Sequence, residues 1–248
     1  MQITNHWFIA NGLNSLLIVI AFIVPKKLLT IAGYLHAWVL GILIWGTLGW
    51  RGYTVIMFYF LVGSAVTRIG IAEKEAAGIA EDRSGIRGPK NVWGSALIAV
   101  LCALMTLFSD SSWQGLLSLG YVASFSTKLS DTTASEVGKV YGKGTFLITT
   151  LKPVPRGTEG AVSLEGTLAG VIASGVIALL AWCIGLINLM GVFLCIVSAF
   201  IATSLESLIG ATLQEKLDWM TNEVVNVFNT FIGAFIAIFT AWWWTQFI

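Results

Sequence analysis

The sequence predicts an all-α bundle of seven or eight transmembrane helices, and three observations carry that prediction. Hydrophobic residues make up 56% of the 248 positions and charged residues only 11%, where a soluble domain carries about 25%. Mean hydropathy is +0.84, too apolar for a chain that must present a charged surface to water. The apolar residues also fall in long runs without the strict alternation of a barrel strand. Lipid tolerates only helices and closed barrels, because it cannot satisfy free backbone N–H and C=O groups. The net charge of +1 supplies no field for nucleic acid, so that partner is excluded.

The runs cover 8–24, 31–50, 53–69, 92–108, 113–130, 165–187, 190–209 and 226–246, each close to the ~20 residues that a span requires. The run 92–108 is short enough to be re-entrant. The first run has no basic residues before it, and Pro25-Lys26-Lys27 follows where a cleavage site would need small residues. It therefore reads as a retained helix, not a signal peptide. Gly41, Gly46 and Gly49 read as helix-packing positions. Cys102, Cys183 and Cys195 sit in apolar runs with no zinc or disulfide spacing, and His6 and His36 are too isolated for a His-based site. Residues 1–248 are expected to form one integral membrane domain.

Basic residues orient the bundle. With the N-terminus outside, the inner connections carry Lys26, Lys27, Arg68, Lys74, Arg83, Arg87, Lys90, Lys139, Lys143, Lys152, Arg156 and Lys216, twelve of the 14 basic residues. Only Arg51 falls outside, and Lys128 lies within a span. The asymmetry predicts a cytoplasmic active face. Trp242, Trp243 and Trp244 would anchor the last helix at the opposite interface. Two long polar inner loops, 70–91 and 137–164, would form the active face.

A charge within a span costs about 2.5–3.5 kcal/mol on insertion scales, so it calls for a partner or a wet cavity. The fifth helix ends in such charges. At about 100° per residue, Lys128, Asp131, Thr132, Ser135, Glu136 and Lys139 share an arc of roughly 140°. The seventh helix repeats the pattern with Thr203, Glu206, Ser207, Gly210 and Gln214, and the last begins with Asn222, Asn226, Asn229 and Gly233. Asp131, Glu136 and Glu206 are the expected ligands of Mg²⁺, which takes one or two carboxylates and completes its shell with phosphate oxygens and water. An interfacial ladder of salt bridges is the bland alternative for the fifth helix, and small-residue packing for part of the seventh.

The stretch from Lys152 to Thr167 supplies Arg156, Gly157, Thr158, Glu159 and Glu165 ahead of the sixth helix. Glycines let backbone N–H groups converge on an anion, and a helix N-terminus favours phosphate. Gly142-Lys143-Gly144-Thr145 is no P-loop, since it lacks the spacer and the Ser or Thr after the lysine.

The run Ser126-Thr127-Lys128-Leu129-Ser130-Asp131-Thr132-Thr133-Ala134-Ser135-Glu136-Val137-Gly138-Lys139 resembles the signature of a family of multi-pass proteins. That family includes the plant chloroplast phytyl-phosphate kinase and relatives in bacteria, archaea and animals. Two later stretches match in order: Val154 to Gly170, then Glu206-Ser207-Leu208-Ile209-Gly210-Ala211 with Asn222-Glu223-Val224-Val225-Asn226. The resemblance covers residue 73 to the C-terminus. It extends to the plant enzyme through Lys74-Glu75, Arg87-Gly88-Pro89 and Tyr141-Gly142-Lys143, as in a photosynthetic bacterial counterpart. Thr133 stands where animal relatives carry an aromatic residue, again a plant-like feature.

The resemblance implies phosphoryl transfer from CTP to phytyl phosphate, giving the diphosphate for tocopherol or phylloquinone synthesis. It also implies a bacterial plasma or thylakoid membrane as the location. Asp131, Glu136, Glu206 and Lys128 would carry the chemistry. Arg87, Lys90, Ser135, Lys139, Lys152, Arg156, Gly157, Thr158, Glu159, Glu165, Asn222 and Asn226 would bind the nucleotide and the prenyl phosphate lipid. Two alternatives use related ligands: a CTP-dependent lipid-phosphate cytidylyltransferase, and an anion transporter, which would call for paired repeats and broken helices at midplane.

Overall fold

Thirty-seven residues, Ile31–Thr67, run as a single stretch of helix (α2) broken at one point, Gly49, with φ 62° and ψ −157°. A straight helix of this length would part its ends by about 55 Å. Instead Arg68 Nη2 donates to Lys27 O at 3.1 Å, so residues flanking the two ends of α2 touch. The chain reverses at Gly49 and α2 is a helical hairpin of two spans. Gly49 is therefore a hinge, where the sequence suggested a packing position; Gly41 and Gly46 do pack, against Asn14 and Trp7. A positive φ excludes most side chains, which is why the reversal falls on a glycine.

The molecule is a computed structural model that describes residues 2–24, 27–214 and 216–247; Pro25 and Lys26 of the first inner connection lie outside them. The other helices are α1 (Gln2–Ile23), α3 (Ile71–Ala76), α4 (Pro89–Met105), α5 (Ser111–Tyr141), α6 (Leu164–Cys183), α7 (Leu189–Ile209) and α8 (Asn222–Phe247). With α2 counted at its hinge, each of the eight expected runs is helical. Among the described residues, five helices are long and apolar enough to cross a membrane: α1, α2, α6, α7 with its following turn, and α8. The 17-residue α4 is shorter, and α5 is long enough at 31 residues but interrupted by charge. α4 starts beside Leu29 and Arg87 at one end of the bundle and reaches the turn into α5 at the other, so it traverses and is not re-entrant.

Local chemistry sets the helix starts. Thr30, Asp110, Ser163 and Asn188 each accept a backbone N–H three residues on, satisfying a donor that the first turn leaves free. α4 begins with Pro89 at its first position, where a missing N–H does no harm.

α5 is the central element and packs against α2, α4, α6, α7 and α8. Glycines bring its neighbours close. A Cβ on Gly166 or Gly170 of α6 would strike the α5 carbonyls of Ala134 or Ser130, and one on Gly233 of α8 would strike Thr127. Small residues at such seams allow the close backbone approach that membrane helices use. Tyr121, Phe125 and Leu129 fill the core along α5.

The connection 137–164, expected as a loop, is built otherwise. α5 continues to Tyr141, and Thr145–Leu147 (β1) pairs antiparallel with Ala161–Ser163 (β2). Bonds from Leu147 N to Lys152 O and from Val154 N to Thr145 O add a third strand-like segment. The result is a small sheet at the same end of the bundle as α3. The opposite end is closed by Arg51, which donates to Gly185 O at 3.2 Å.

Candidate active site

A cavity of about 450 Å³ opens at the end of the bundle that carries α3 and the small sheet. One wall is the polar arc of α5, a second is α7, and the 156–163 segment and residues 78–81 cover it. Lys128, Asp131, Ser135, Glu136, Lys139, Arg156, Gly157, Thr158, Glu159, Glu206 and Asn222 all line it, which joins eleven of the sixteen expected residues in one space. The folding of 156–160 over α7 depends on Gly160, whose φ is +73° and whose Cβ position is filled by Ala211 and the Ser207 carbonyl.

Three ion pairs in two groups organise the α5 wall. Lys128 Nζ is held between the Asp131 carboxylate and Asn226 Oδ1, the latter at 2.6 Å. Glu206 lies beside Asp131 within hydrogen-bonding reach, and the charge of Glu159 is also felt there. One turn on, Glu136 turns away from this group. Its Oε2 takes the Lys74 ammonium and its Oε1 the Lys139 ammonium at 3.1 Å. Lys74 and Glu136 are each only 1% exposed, and Lys74 also donates to Thr67 O at 2.7 Å.

The expected cluster of Asp131, Glu136 and Glu206 is thus not assembled as three converging carboxylates. Glu136 is occupied by two lysines, and among the described residues no three His, Cys, Asp or Glu side chains are grouped to hold a metal. Asp131 and Glu206 remain adjacent. Two carboxylates so close repel unless a proton or cation lies between them, and a pair of carboxylates facing a phosphate-sized space is the donor set that Mg²⁺ uses.

Five expected residues lie outside the cavity. Asn226 acts from behind, through Lys128. Lys90 is exposed in the first turn of α4, and Lys152 is exposed in the sheet. Glu165 sits in the first turn of α6 without facing the cavity. Arg87 is pinned elsewhere: its backbone pairs with Leu28 and Thr30, and its guanidinium stacks 5.5 Å from the Tyr59 ring centre. At the α6 N-terminus, Ser163 accepts the Gly166 N–H at 3.1 Å and lines the cavity.

Sequence reasoning missed Lys74 as the partner of Glu136, and the covering segment Gly78-Ile79-Ala80-Glu81. Nothing in Glu73-Lys74-Glu75 marks the lysine as the buried member of the three. The α7 stripe holds for Thr203, Glu206, Ser207 and Gly210. It fails at Gln214, because 210–214 widens into a π-helical turn that shifts the register.

Residues 14–234 match the family described as Integral membrane protein DUF92. The chain belongs to that family. The match begins at residue 14, so it takes in the first helices, beyond the region from residue 73 where motifs were found. An uncharacterized membrane protein of Synechocystis (sll0875) is 68% identical over 94% of this chain and 90% of its own length. Protein VTE6, chloroplastic, of Arabidopsis thaliana is 42% identical over 94% of the chain and 71% of the relative. An uncharacterized membrane protein of Methanocaldococcus jannaschii (MJ0933) is 31% identical over 89% of each. No solved structure matches this DUF92 chain.

Proposed function

We propose that this protein transfers the terminal phosphoryl group of CTP to phytyl phosphate or a related prenyl phosphate, giving the diphosphate used in vitamin E synthesis. The observation that carries the reading is the Lys128–Asp131–Glu206 group facing a polar cavity at one end of the bundle, on a motif that resembles that of the phytyl-phosphate kinase family. The strong likeness to a chloroplastic plant protein supports it.

Phosphoryl transfer asks a protein for positioning and charge neutralisation more than for covalent work. A phosphate oxygen of the acceptor attacks the γ-phosphorus, and the bond to the β–γ bridging oxygen breaks, releasing CDP. The acceptor monoester is already a nucleophile near neutral pH, so no strong base is needed. Lys128, fixed by Asp131 and Asn226, presents a cation to the transferred group. Lys139 and Arg156 offer further positive charge along the cavity rim, where Arg156 is steadied by Val140 O at 2.9 Å. Gly157 and Thr158 bring backbone N–H groups to the same rim. Asp131 and Glu206 would hold Mg²⁺, whose role is to neutralise phosphate oxygens as charge moves to the leaving group. The clustering of Arg68, Lys74, Arg83, Lys139 and Arg156 at this end favours its placement on the cytoplasmic side.

The test is purified full-length protein with phytyl phosphate and each of the four nucleoside triphosphates. With γ-labelled CTP, label enters the lipid; with α-labelled CTP it does not. Label from the α position in the lipid would identify a cytidylyltransferase instead, and no label from any nucleotide would remove the kinase reading.

A further inference from the structure

We propose that a second cavity, between α1, α2 and α4, holds the isoprenoid tail of the acceptor while Arg87 takes its phosphate; the proposal rests on the kinase reading above. This cavity of about 270 Å³ is walled almost wholly by apolar side chains. It runs from Val24 and Leu28 at the active-site end of the bundle to Asn14 along α1, about 15 Å of helix.

An apolar groove in a membrane protein is ordinarily filled by bulk lipid. Charge makes this one different. Arg87 lines its active-site end, and among the described residues it has no carboxylate partner. Its guanidinium occupies the space left by the missing side chain of Gly63. A half-buried cation without a counter-ion, at headgroup depth above an apolar slot, is complementary to a single-chain lipid phosphate. At the deep end, Asn14 is already satisfied by Tyr53 and Ala10 O, so no polar group there repels a hydrocarbon.

The slot also adjoins the active site. Arg87 Nη1 approaches Tyr59 Oη at 3.5 Å, and Tyr59 packs 5.0 Å, ring centre to ring centre, from Phe125. Lys128 follows Phe125 by three residues on α5. Tyr59 and Phe125, both buried, thus separate the Arg87 end of the slot from the Lys128–Asp131 pair.

The experiment uses full-length protein in nanodiscs and a twenty-carbon isoprenyl phosphate with a photoreactive group in its tail, without nucleotide. Adducts are expected on Ile18, Ala37 and Met57, displaced by phytyl phosphate but not by phytol or phosphatidate. Arg87→Ala should weaken labelling about tenfold, in line with loss of a charge-assisted contact. Because Arg87 also packs on Tyr59, Ala37→Phe provides a second arm at the rim of the slot. It should lower kcat/KM for the twenty-carbon acceptor relative to a five-carbon one by about tenfold, as steric exclusion from an apolar pocket does. Adducts confined to α6 and α7, or equal displacement by phosphatidate, would overturn the tail site while leaving CTP-dependent transfer to stand. Specific adducts in the slot without any phosphoryl transfer would uphold the lipid-phosphate site and sink the kinase reading.

Discussion

Asp131 and Glu136 sit five residues apart on α5 and carry the same functional group, yet their surroundings differ. Asp131 meets one lysine, one asparagine and a second carboxylate at the cavity wall. Glu136 is clasped by two lysines from two helices, with its carboxylate sealed from solvent. The first arrangement sets two carboxylates and one ammonium against an open space, which suits a cation and a phosphate. The second balances its charge internally and fastens α3 to α5, which holds the covering segment 78–81 over the cavity. Two carboxylates in one motif thus divide into one that faces the cavity and one that locks.

The largest expected effect tests the group facing the cavity. Asp131→Asn and Glu206→Gln should each lower CTP-dependent transfer by about a thousandfold, with the protein still inserting into the membrane and Glu206→Gln melting like the wild type. Full activity in either variant would remove that carboxylate from the chemistry. Next comes the lock. Glu136→Ala strands Lys74 in a sealed site and should cost about 3–5 kcal/mol of stability, read as a lower midpoint of thermal unfolding. Replacing both partners, Lys74→Met with Glu136→Met, should restore much of it. A Glu136→Ala protein that melts like the wild type but is inactive would erase the distinction between the two carboxylates.

A smaller effect is expected at Lys139, which joins the lock to the cavity. Lys139→Ala should raise KM for CTP about tenfold, in line with the loss of one charge-assisted contact, with little change in melting. Smallest is Asp110 at the far end of α5. The Ser112 hydroxyl and the Trp113 N–H hold its exposed carboxyl below the ordinary value. Its contribution is present above the usual aspartate range and lost as pH falls through the lowered value. Asp110→Ala should accordingly lower the melting midpoint slightly at neutral pH, with the difference from wild type vanishing in acid.

The spans and the three polar stripes were legible because a charge or amide in an apolar background stands out without knowledge of any partner. Thr203, Glu206 and Ser207 reached the cavity as their spacing required. Partnership was not legible. Five steps at 100° turn a helix by about 140°, so Asp131 and Glu136 stand at opposite edges of the arc that made them look like one set. Which edge meets α7 and which meets α3 is decided by tertiary packing. Lys74 carries no local mark, since a six-residue helix is too short for periodicity to declare a buried face. The sheet at 145–163 was hidden for a similar reason: its strands are three residues long, and their pairing is fixed by the approach of 145–147 to two later segments.

The reversal at Gly49 reaches further than its own hairpin. Residues 31–67 hold one charge, Arg51, and would otherwise satisfy the membrane as an uninterrupted rod. Were the chain to continue straight there, every later segment would cross with the opposite parity, delivering Lys128, Asp131 and Glu206 to the other leaflet. The topology of the rest of the protein is therefore settled by one residue that lacks a side chain.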